Sequence, residues 1–153
     1  MQLTDHFSDY EMGVAETNSR LLINAQFLCR KILEPVREKF GPVRIHDGYR
    51  NSEHNSSVGG KSASWHLFEG THAAADFDCP SASFHEVFDW IRLESGLPFD
   101  KVILECNAAD QPRCIHVQVD TAARPRRQAF TGYTGDGKDY VQVTVNTGKD
   151  RET

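Results

Sequence analysis

Ala73-Ala74-Ala75-Asp76-Phe77-Asp78 is compatible with either a helix or a strand by propensity, and the choice decides the fold. Cys79-Pro80 ends the run, and its small residues suit tight packing against a neighbour, so it reads as a strand. Downstream, Lys101-Val-Ile-Leu-Glu105 and Cys114-Ile-His-Val-Gln-Val119 read as two further strands joined by a polar hairpin loop. Upstream, Val43-Arg44-Ile45-His46 alternates apolar and polar residues and predicts a strand entering the loop Asp47-Gly48-Tyr49-Arg50-Asn51.

The elements around these strands are helical. From about Asn18 to Phe40, Leu21, Ala25, Leu28, Ile32, Val36 and Phe40 recur at spacings of three and four, giving one apolar face. Pro35 is expected to kink or restart that helix, and Gly41-Pro42 to stop it. A second helix starts near Ser83, where Glu86 completes a capping-box pattern, and buries Phe84, Val87, Phe88 and Ile91. Asp9 to Met12 predicts a short helix or turn, and residues 51 to 63 a loop or a short helix near Glu53. The tail from Arg124 reads as loop, with Tyr140, Val141, Val143 and Val145 as a possible last strand. Helices and strands segregate without strict alternation, which predicts an α+β fold with a small central, mostly antiparallel sheet and helices packed on it.

The 153 residues fit one domain, with a core over about residues 3–120 and a C-terminal extension over 121–153. Apolar residues at 39% and charged residues at 25% exclude a disordered chain, and no apolar run is long enough to span a bilayer. Met1 to Met12 carries acids and lacks a basic n-region, so no secretory signal is expected there. The formal charge of −5 argues against nucleic acid as a partner, and Arg124-Pro125-Arg126-Arg127 reads as a solvated loop. Cys29, Cys79, Cys106 and Cys114 show no CxxC spacing, which argues against a zinc ribbon, although Cys106 and Cys114 bracket a loop and could face each other across it.

A catalytic zinc site needs about three imidazole or carboxylate ligands and one open position. The helical HExxH arrangement is absent, but the chain offers His66, Asp76 ten residues later, and His116 within a strand. Asp76 among three alanines and a phenylalanine, and His116 between Ile115 and Val117, sit in apolar settings where a polar group needs a partner. A metal supplies one. An ordinary hydrogen-bond partner supplies another.

Leu3 to Val119 resembles peptidase family M15, the zinc D-Ala-D-Ala carboxypeptidases and related phage peptidoglycan hydrolases. The matching segments run in order: Phe7-Ser-Asp-Tyr-Glu11, Ile32-Leu-Glu-Pro-Val-Arg-Glu38, Val43-Arg-Ile-His-Asp-Gly-Tyr-Arg50 and Val58-Gly-Gly60. Ser64-Trp-His66, Ala74-Ala-Asp-Phe77, Val87-Phe-Asp-Trp-Ile91, Lys101-Val-Ile-Leu-Glu105 and Ile115-His-Val117 follow. The resemblance implies a fold like that of Hedgehog and the DD-peptidases, a zinc ion (Zn2+) on His66, Asp76 and His116, and Ser64 and Arg50 on the substrate side. Arg50 stands where the family holds a substrate carboxylate, and a guanidinium fork suits that group. The implied reaction is hydrolysis of a peptide bond in a peptidoglycan stem or crosslink. The chain would be made in the cytoplasm and act at the cell wall or be carried in a virion.

Three departures from the family signature bear on the site. The stretch from His66 to Asp76 is three residues longer than in the signature, which implies a loop insertion within Leu67–His72. The signature glycine position falls on His72, a rival ligand to His66. Arg113 stands where many members carry an acidic base, and a guanidinium accepts no proton. Glu105 is then the candidate catalytic base, with orientation of a ligand or an ion pair as its alternative role. A second reading of the whole chain is a phage virion or assembly protein that keeps the fold without hydrolysis. Its partners would be other virion proteins rather than wall peptides.

Overall fold

The structure, a computed structural model, describes residues 1–58, 64–133 and 140–146. It is α+β, with helices packed on a mixed six-stranded sheet. The strands are β1 (Arg44–Asp47), β2 (His72–Asp78), β3 (Lys101–Cys106), β4 (Pro112–Asp120), β5 (Gln128–Tyr133) and β6 (Val141–Val143). Their order across the sheet is β1-β2-β4-β3-β5-β6. β3 and β5 run parallel, and the other neighbours pair antiparallel.

Strand alternation sorts core from chemistry. Successive side chains point to opposite faces of a sheet. Ala73, Ala75 and Phe77 of β2 join Ile115, Val117 and Val119 of β4 and Val102 and Leu104 of β3 in the buried core. Asp76 and His116, which lie between these core residues, and Glu105, the next residue after Leu104, therefore share the opposite face. The alanines allow the helix α1 (Ser19–Leu28) to lie close over β2. Full burial of a side chain such as Phe77 contributes about 1.5–3 kcal/mol.

Asn18 caps α1, its side-chain oxygen accepting from the Leu21 amide at 3.0 Å. Proline enters this long helix through a local change of winding. Pro35 has no N–H to offer the preceding turn. Cys29–Leu33 forms a π-helical turn in which Glu34 donates to the Cys29 carbonyl, and α2 (Glu34–Phe40) restarts with Pro35 in its first turn. Gly41, at φ 84°, ends it in a conformation that favours glycine. The predicted restart and stop are both present. Ser83 caps α4 (Phe84–Asp89) by accepting from the Glu86 amide at 3.1 Å, and a π turn over Trp90–Glu94 extends it.

The N-terminal segment fixes the loop after β1. Phe7, Met12 and Val14 are buried, and the Tyr49 amide donates to the Met12 carbonyl at 2.9 Å. A Cβ on Gly48 would stand 2.5 Å from that carbonyl oxygen, so only glycine lets the two backbones approach this closely. Asn51 caps the short helix α3 (Ser52–Ser57), whose end leads to Gly59 and Gly60, outside the described residues.

Two stretches differ from expectation. Residues 128–133, read as loop, form β5, because pairing with β3 replaces the alternation that Gln-Ala-Phe-Thr-Gly-Tyr lacks. The basic cluster is tied down: Arg126 forms a two-pronged ion pair with Asp100 at 2.6 and 2.7 Å, and Arg127 donates to the carbonyls of Leu97 and Asn146. Cys106 and Cys114 are free thiols. Across the hairpin Cys114 faces Glu105, and Cys106 faces Pro112.

Candidate metal centre

His66, Asp76 and His116 converge from three parts of the chain. Each offers one ligand atom, and the three atoms lie within 4.8 Å of one another. Asp76 and His116 are register partners on β2 and β4, so their side chains rise side by side from one face. His66 arrives from the helical turn Trp65–Leu67. Ser64 caps that turn, its hydroxyl oxygen accepting from the His66 amide at 3.2 Å, and Phe68 ends it in the left-handed conformation at φ 49°. Ser64 thus sets the position of His66 through the backbone.

Oδ1 of Asp76 is the meeting point, 3.0 Å from Nδ1 of His116 and 3.3 Å from Nε2 of His66. The far side of each ring also meets an acceptor. His66 Nδ1 lies 2.7 Å from the Gly48 carbonyl, and His116 Nε2 lies 2.8 Å from the side-chain oxygen of Gln118. A neutral imidazole carries one N–H. With that proton given to Gly48 or Gln118, each ring turns a bare lone pair towards the carboxylate. Two lone pairs and a carboxylate oxygen aimed at one point call for a cation among them.

The donor set fits zinc, and its atoms already lie close together. Two imidazoles and one carboxylate are ordinary zinc ligands, and tetrahedral ligand atoms about 2.0–2.2 Å from the metal stand about 3.3–3.6 Å apart. Burial pushes the Asp76 carboxyl up, but hydrogen bonds with His116 and His66 outweigh it and hold the group well below the usual carboxylate range. Burial lowers the His116 ring, yet the contact with Asp76 prevails and raises it. That contact favours a proton between the His116 ring and Asp76 when no metal is bound, and a metal held there would take its place.

His72 stands apart from this group. Its ring stacks on Trp65 with centroids 3.6 Å apart, and its Nε2 lies 3.4 Å from Asp120. His72 begins β2, opposite Asp120, four residues along the strand from Asp76. Of the two histidines that compete in the sequence, His66 is the one beside Asp76 and His116.

Glu105 lies close by. One of its oxygens accepts from the Cys114 thiol at 3.3 Å and the other from the Tyr140 hydroxyl at 3.2 Å. Asp76, Glu105 and Cys114 also place ligand-type atoms within 4.8 Å of one another. Burial and the nearby carboxylates push the Cys114 thiol far up, so it stays protonated and donates. Arg113 is exposed at the start of β4. Asp78, another acid on β2, is held by Arg44 at 2.8 and 2.9 Å and by His46 at 2.5 Å.

Arg50 borders the group on the other side. Its guanidinium donates to Asp47 and, at 3.3 Å, to Asn55, while Nη2 lies 3.7 Å from the second oxygen of Asp76. Its backbone amide donates to the His66 carbonyl at 2.6 Å. A cleft of about 450 Å³ opens here, lined by Arg50, Arg20, Ser52 and Glu69 among others. Gln118, Asp100 and Tyr140 also reach this group, and the sequence assigns none of them a role there. Gln118 carried a signal, since it sits two residues beyond His116 on the same strand face.

A family model described as Peptidase M15 matches residues 2–122. No curated protein matches the chain. With that match spanning well over half its length, the chain belongs to peptidase family M15.

Proposed function

We propose that the chain is a zinc-dependent peptidase that hydrolyses a peptide bond in peptidoglycan stem or crosslink peptides, as a D,D-carboxypeptidase or an endopeptidase. The observation that carries this reading is the convergence of His66, Asp76 and His116 with both rings' lone pairs turned inward. The sheet, pairing antiparallel at all but one of its contacts, is read as the Hedgehog/DD-peptidase type. Zinc bound there supplies Lewis acidity towards the scissile carbonyl and lowers the pKa of water. Glu105 takes the proton from the attacking water and returns it to the leaving amine. Arg50, with Nη2 facing the site, holds a carboxylate of the substrate, and Ser64, which caps the His66 turn, serves on the substrate side. The protein would be made in the cytoplasm and reach the wall directly or within a virion.

One observation favours a second reading, a phage virion protein that has lost hydrolysis. Glu105, the candidate base, is engaged by both Cys114 and Tyr140. Incubating the zinc-loaded protein with defined muropeptides, with and without chelator, separates the two. The peptidase reading expects release of a peptide or amino acid that chelator abolishes and zinc restores. Absence of turnover on every muropeptide with zinc bound would leave the virion reading.

A further inference from the structure

Behind His116 runs a chain of hydrogen bonds that ends outside the residues shared with the family. His116 Nε2 meets the side-chain oxygen of Gln118 at 2.8 Å. The Gln118 amide nitrogen donates to Asp100 at 2.7 Å, and Asp100 receives two prongs from Arg126 at 2.6 and 2.7 Å. Asp100 and Gln118 are buried at 3% and 6% exposure, so neither has water as a substitute partner. Arg126 lies beyond residue 122, where the family match ends.

The polarity of this chain is set from its far end. A carboxylate paired with a guanidinium only accepts, so Gln118 must turn its NH2 group to Asp100. Its oxygen then faces His116, and that ring must place its proton on Nε2. In the neutral ring Nδ1 is then the bare nitrogen, facing Asp76. Reversal of Gln118 would present a donor to Nε2, move the ring proton to Nδ1 and block the metal position. Arg126 also lies over the Trp65 ring, its guanidinium carbon 5.8 Å from the centroid, next to the residue that carries the first histidine. One side chain therefore braces the segments of both histidines.

We propose that Arg126 is a remote positioning residue of the metal centre, fixing the His116 tautomer through Asp100 and Gln118 and bracing the His66 turn through Trp65. This rests on the reading of His66, Asp76 and His116 as zinc ligands. It adds a requirement that a bare three-ligand site does not have.

Arg126→Ala and, as a control, Arg124→Ala can be compared with wild type for zinc affinity by competition with a chromophoric chelator. Loss of an outer partner of a metal ligand typically costs 10–100-fold in affinity, and Arg126→Ala should fall near tenfold, with Arg124→Ala unchanged. The Arg126 side chain is half exposed, so added guanidinium should restore affinity to Arg126→Ala, and sodium chloride of equal ionic strength should not. In the zinc-loaded wild type, ¹⁵N shifts should place the His116 proton on Nε2 and the metal on Nδ1, a reading that needs no variant to fold. Equal affinity in Arg126→Ala, rescue by any salt, or a metal on Nε2 would overturn the proposal while leaving the zinc site standing. A wild type that takes up no zinc would overturn the site reading, and this inference with it.

Discussion

Asp76 and His116 face each other as register partners on neighbouring strands, with Oδ1 and Nδ1 3.0 Å apart. Two paired strands hold this pair, and His66 comes from the helical turn Trp65–Leu67. Removing the third member should therefore weaken the site without disturbing the sheet. His66→Ala should lose zinc while keeping the wild-type circular dichroism. His72→Ala, which removes a ring stacked on Trp65, should keep its zinc. Metal loss in His72→Ala with retention in His66→Ala would reverse the assignment.

Gly48 links the N-terminal segment to the first histidine. Its carbonyl receives His66 Nδ1, and its missing Cβ makes room for Met12. Gly48→Ala forces the two backbones apart and should destabilise the protein by about 1–3 kcal/mol, the usual range for overpacking. Zinc affinity should fall with it, because the acceptor that orients His66 moves. Chemical denaturation and zinc titration of the same variant test both effects, and an unchanged midpoint would contradict the first.

The Asp100–Arg126 pair makes stability depend on acid. Burial raises the Asp100 carboxyl, but hydrogen bonds from Arg126 and Gln118 outweigh it and hold the group below its ordinary value. A folded pKa depressed in this way contributes stability that is fully present above about pH 4, the unfolded value, and lost as the pH falls through the folded one. Metal-free Asp100→Asn should be less stable than wild type by about 1–3 kcal/mol at pH 6. That gap should narrow at pH 3. A gap of the same size at both pH values would show that the carboxylate's charge is not involved.

Much of the site was legible because the strands obey a period of two. Asp76 and His116 stood out as polar residues within apolar runs, and antiparallel pairing brought them together. His66 against His72 was not decidable from spacing, and only the tertiary positions set His66 beside Asp76 and His72 against Trp65 and Asp120. β5 was illegible for a different reason. Its residues do not alternate between apolar and polar, and their conformation comes from parallel pairing with β3. Arg126 looked like part of a solvated cluster because its partner, Asp100, is distant in sequence. Long-range ion pairs leave no local pattern.

In the peptidase reading, turnover depends on Glu105. Glu105→Gln keeps the size of the side chain and should keep fold and zinc while losing roughly 10²–10⁴-fold in rate, the range for general acid–base loss. Arg50→Ala should mainly raise KM, most for substrates with a free terminal carboxylate. Full activity in Glu105→Gln would show that another group moves the proton.

The most direct test of the metal centre is the zinc content of the purified protein after loading and dialysis, measured by elemental analysis. About one zinc per chain in the wild type, and almost none in Asp76→Ala, is the expected result. A wild type that emerges from zinc loading without metal would contradict the account at its centre.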